Sequence, residues 1–134
     1  MHPAHASQPP VDAFGPGLHD GVPTLRYPAA EPARSLACTA GALRRGLALL
    51  PPGDLVALVP DGATPPDRPA VTTLPVTDAV KRVLHGLLVE TVDRTPLRFL
   101  VGPAVVRRAT LEALVVGVRD DEIVFPLAAE VTAR

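Results

Sequence analysis

The sequence predicts a single α/β domain: a small, mostly parallel, three-layer sheet of about three strands with three helices. Short unbroken apolar runs such as Asp54-Leu-Val-Ala-Leu-Val59 have the length and continuity of strands buried on both faces. Between those runs, apolar residues recur at spacings of three and four, as on one side of a helix. Proline and glycine separate the two kinds of segment, and the resulting order is α-β-α-β-α-β.

The N-terminal segment carries Pro3, Pro9, Pro10, Pro16, Pro23, Pro28 and Pro32, with apolar residues too scattered to define a face. Such a segment buries too little surface to offset the entropy of ordering it. Residues 1–32 are therefore expected to be an irregular or disordered leader, and 33–134 the domain. Leu36, Thr39, Ala40, Leu43, Leu47 and Leu50 follow helical spacing, which predicts a helix over 33–50 begun near Pro32 and ended by Pro51-Pro52-Gly53. Gly41 and Gly46 inside it each cost about 1 kcal/mol against alanine, for which close packing is the natural reason.

The strand from Asp54 breaks at Pro60-Asp-Gly62, and a loop rich in turn formers runs on to Ala70. Val80, Val83, Leu84, Leu87 and Leu88 then predict a helix over 77–92, with Thr77 or Asp78 as its cap and Asp93-Arg-Thr-Pro96 as its end. Leu97-Arg-Phe-Leu-Val101 reads as the next strand, ended by Gly102-Pro103. With the strand at Asp54 it completes a βαβ unit with a right-handed crossover. Leu111, Leu114, Val115 and Val118 predict a third helix from about Thr110 to Arg119, and Glu122-Ile-Val-Phe125 a third strand.

At 134 residues the chain suits one domain. It has no Trp, and Tyr27, Phe14, Phe99 and Phe125 are its only other aromatic side chains besides histidine, so the core must be aliphatic. Thirteen basic residues against fourteen acidic ones, with no basic stripe, argue against a nucleic-acid partner. Cys38 stands alone, which rules out an internal disulfide and a Cys-rich zinc site and suits a reducing compartment. No apolar run reaches the roughly 18 to 20 residues of a membrane span, and the N-terminus lacks a signal-peptide pattern. A cytoplasmic protein with no membrane partner is the expectation.

Chemistry is sparse. No Gly-x-Gly-x-x-Gly turn opens a helix, and Lys81, the only lysine, has no phosphate-loop glycines before it, so no cofactor is expected. His2 and His5 belong to the leader, where a solvated tail explains them better than a metal site; His85 reads as a boundary residue. Cys38, among apolar neighbours, reads as a small hydrophobe. Asp120, Asp121 and Glu122 read as a solvated turn. Asp61 follows a strand end, where ligand sites of open α/β sheets collect, although the turn chemistry of Pro-Asp-Gly accounts for it equally well.

Three segments in order resemble the second half of the short-chain dehydrogenase/reductase family. They are Val56-Ala-Leu-Val-Pro-Asp-Gly-Ala63, the stretch Ala79-Val-Lys-Arg-Val-Leu-His-Gly-Leu-Leu-Val-Glu90, and Leu97-Arg-Phe-Leu-Val-Gly-Pro103. Cys38-Thr-Ala-Gly-Ala42 similarly resembles the family's Asn-x-x-Gly-Ala helix. The resemblance implies a partial Rossmann-like fold. It also places the family's catalytic asparagine at Cys38, its serine at Pro60 or Asp61, its tyrosine at Thr73 and its lysine at Thr77. None of these residues can donate the proton at the substrate oxygen or hold the nicotinamide ribose as the family's tyrosine and lysine do. The family's Gly-rich cofactor half has no counterpart in residues 1–34.

What the resemblance implies is a catalytically silent, truncated relative that works by association. The expected partner is a second copy or another protein, met through the helices 33–50 and 77–92. The alternatives are a divergent NAD(P)-dependent oxidoreductase and an unrelated small α/β domain.

Overall fold

The computed structural model describes residues 9–29, 35–75, 80–84, 87–92 and 98–133. The fold begins where the leader was expected. β1 (Gly15–His19) and β2 (Val22–Tyr27) pair antiparallel across Asp20-Gly21. Asp20 and Gly21 have φ of 49° and 81°, the positive values that a tight hairpin turn of type I′ requires. Leu25 and Tyr27 alternate with Thr24 and Arg26, and that alternation buries the first pair in the main core beside Phe14. A segment proline-rich enough to read as disordered is thus ordered by one hairpin turn and three large apolar side chains.

Residues 35–39 are extended. Val11 bridges Cys38 in parallel, and the short strand β3 (Cys38–Thr39) pairs antiparallel with β9 (Ile123–Val124). Leu36, Cys38 and Ala40 are buried while Ala37 and Thr39 are half-buried, an alternation of two that a spacing of four also satisfies. The helix expected over 33–50 is therefore shorter: α1 (Ala40–Ala48), with Thr39 Oγ1 accepting from the Ala42 N–H at 3.1 Å. Gly46 sits where α1 meets β2, and a Cβ there would lie 2.9 Å from Leu25 Cδ2. Close packing does explain that glycine.

β4 (Leu55–Pro60) follows and lies parallel to β2, so β2, α1 and β4 form one crossover unit. β5 (Ala70–Pro75) comes next. The expected helix over 77–92 is replaced by β6 (Val80–Leu84) and β7 (Leu87–Val92), paired antiparallel from Val80↔Val92 to Leu84↔Leu87. Val80, Val83, Val89, Thr91 and Val92 are β-branched, and that stiffness favours the extended chain over the stripe they also spell.

With no crossover helix among the described residues between them, β4 and β8 (Arg98–Arg107) meet antiparallel, from Leu55↔Arg107 to Leu58↔Ala104. The strand expected to stop at Gly102-Pro103 instead continues through that cis peptide. β5 pairs antiparallel with the other side of β8. The sheet is mixed and five-stranded, in the order β1-β2-β4-β8-β5, and β2 with β4 is the one parallel pair among its strands. The expectation of a mostly parallel sheet is corrected accordingly.

α2 (Arg108–Val115) ends ahead of Gly117, whose φ is 71°. α3 (Pro126–Ala133) was not anticipated from the sequence; Pro126 opens it, where a missing N–H costs nothing. Leu43 and Leu47 of α1, Leu111 and Val115 of α2 and Leu127 of α3 all enter one cluster with Leu25, Tyr27, Val56, Leu58, Ala104 and Val106. The described helices thus share one face of the sheet, which makes two layers where three were expected. Ala57, Val59 and Val105 point to the other face and form a smaller cluster with Val22, Leu55 and Ala63.

Candidate functional site

The crossover unit β2-α1-β4 is the place to look first, because ligands of α/β folds collect at the carboxyl ends of parallel strands and at the N-terminus of the helix between them. Here that helix end is occupied by the chain itself. The Ala40 N–H donates to the Glu122 carbonyl at 2.8 Å, Gly41 to the Asp120 carbonyl at 3.0 Å, and Ala42 to Thr39. A Cβ on Gly41 would come within 2.9 Å of Asp120 Cβ, so the glycine lets the acidic turn seat itself on the helix end. The N–H groups that could cradle a phosphate already have acceptors.

The positions that the family resemblance singles out are not brought to one point. Cys38 lies in β3, buried, and burial pushes its thiol up to about 12. It is an inert core residue at neutral pH. Pro60 ends β4, and Asp61 after it is exposed; its N–H donates to the Tyr27 carbonyl at 2.8 Å, which fixes the turn. Thr73 lies in β5, on the far side of β8 from β4. Thr77, like His85, Asp78, His2 and His5, falls outside the described residues.

Polar groups that could have served a site are used to hold elements together. The Tyr27 hydroxyl accepts from the buried Gly102 N–H at 3.0 Å. Burial outweighs that bond and raises the phenol to about 12. A Cβ on Gly102 would fall 2.6 Å from the Leu58 carbonyl oxygen, so only glycine lets the two strands and the tyrosine meet. Glu130 of α3, almost wholly buried, accepts from the Arg107 backbone N–H at 3.4 Å and from its Nε at 3.3 Å.

Sequence reading missed a reciprocal pair of arginines. Arg44, in the middle of α1, donates through Nη2 to the Val115 and Val118 carbonyls, each at 2.6 Å, and through Nη1 to the Asp120 carboxylate. Arg108, at the start of α2, donates to the Pro51 carbonyl at 2.8 Å and the Leu47 carbonyl at 2.9 Å, and its Nε reaches Glu112 at 3.3 Å. Each helix thus supplies the cation that satisfies carbonyls at the end of the other. The start of α2 thus meets the end of α1, and the start of α1 meets the segment after α2, as in antiparallel helices. Arginine in an apolar helix is a weak sequence signal, and nothing in the spacing tells a capping arginine from a solvated one.

On its other side α2 faces α3 across an open groove of about 440 Å³ lined by Ala109, Thr110, Ala113, Leu114 and Ala129. Its one polar side chain is a threonine. Val116, just past the end of α2, and Phe125, one turn before Ala129, are both exposed. Among the described residues, no group of three or more His, Cys, Asp or Glu side chains is placed to hold a metal. Nor is any described helix long and apolar enough to cross a membrane. Comparison with protein-family models, curated proteins and solved structures finds no match to this chain.

Proposed function

We propose that this chain is a non-catalytic α/β module that acts by association, with a second copy of itself or with another protein. The observation that carries this is the open apolar groove between α2 and α3, together with exposed Val116 just after α2 and exposed Phe125 just before α3. The acidic turn, Arg44, Arg108 and Tyr27 have their bonding partners within the chain. The expected association surface shifts accordingly. Most of α1 is buried against the sheet and α2, and residues 80–92 include two strands, so the helical surface left over belongs to α2 and α3.

The likeness to half of a short-chain dehydrogenase/reductase is retained in this proposal for α1 followed by β4, whose order it shares. It draws nothing from residues 80–92. A divergent NAD(P)-dependent oxidoreductase is disfavoured by the acceptors already seated on the first N–H groups of α1. Size-exclusion chromatography with light scattering at micromolar concentration is expected to show a dimer. A clean monomer overturns self-association and leaves a different protein as the partner to be sought. A thermal shift with NAD(H) or NADP(H) would restore the enzymatic alternative.

A further inference from the structure

We draw no further inference here: the strongest candidate, the apolar groove between α2 and α3, belongs to the site already described, and nothing in the structure shows the chemistry of what covers it.

Discussion

The two flanks of α2 are held by different physics. Toward α1 a saturated polar seam is added to the shared apolar core: carbonyls at the end of each helix receive a guanidinium from the other, and Asp120 is held twice, through its carbonyl and its carboxylate. Toward α3 a groove of small apolar side chains remains open. Directional bonds fix one arrangement and leave no spare donors for anything else. Apolar surface has no such exclusivity, so the open side of this flank is where the proposed partner would dock.

The largest effect is expected on the polar flank. Arg44→Ala removes donors to two carbonyls and a carboxylate, and should lower unfolding free energy by about 2 kcal/mol, allowing for its partial exposure. Arg44→Lys should recover little, because a single ammonium cannot span those acceptors as a planar fork does. Chemical denaturation measures both; an Arg44→Ala protein as stable as the wild type would mean that the clasp is incidental. Arg108→Ala should cost less, about 1 kcal/mol, since it frees two carbonyls at a helix end that water can reach.

The core beneath α1 should add a slope visible only in alkali. Cys38 rises from 9.0 unfolded to about 12 folded, and Tyr27 from 10.0 to about 12, both chiefly through burial. Each neutral group favours the folded state fully below its unfolded value. That contribution fades as pH climbs from about 9 through 12, where the unfolded chain ionises first. Stability against pH should therefore fall across this window, and Cys38→Ala should make the fall shallower. An unchanged slope in that variant would show that Cys38 is reached by solvent.

The smallest effect on folding, and the most telling, concerns the other flank. Ala113→Glu places a charge on an exposed groove position and should alter monomer stability by no more than about 0.5 kcal/mol. It should nevertheless shift the proposed dimer toward monomer in light scattering. A dimer that survives this substitution joins through some other surface.

How much of this was legible depended on whether a segment obeyed one periodicity or two. The Leu55 to Val59 run reads only as a strand, and it is one. Leu111, Leu114 and Val115 read only as a helix, and α2 is there, although it stops short of Arg119. Leu36 and Ala40 fit spacings of two and four alike, and extended pairing with Leu100 decided between them. Over 80–92 the apolar stripe favoured a helix, whereas five β-branched residues favoured strands; the branching prevailed. The hairpin at Asp20-Gly21 carried a turn signal, but prolines on both sides concealed it. The groove was beyond sequence reading because α3 was, and the arginine pair because its contacts with carbonyls join residues 57 to 74 positions apart.

One of those prolines has a consequence for the outer strand of the sheet. Counting from the hairpin turn, His19, Gly17 and Gly15 exchange bonds with β2, so Pro16 and Leu18 turn their main-chain groups outward. Proline has no hydrogen to offer there, and a neighbouring chain seeking to extend the ladder would find a single amide donor. At this edge, then, the sheet resists growth by stacking strand upon strand, the route by which exposed edges run on into fibres. The dimer proposed above would then have to form away from β1, on the helical side.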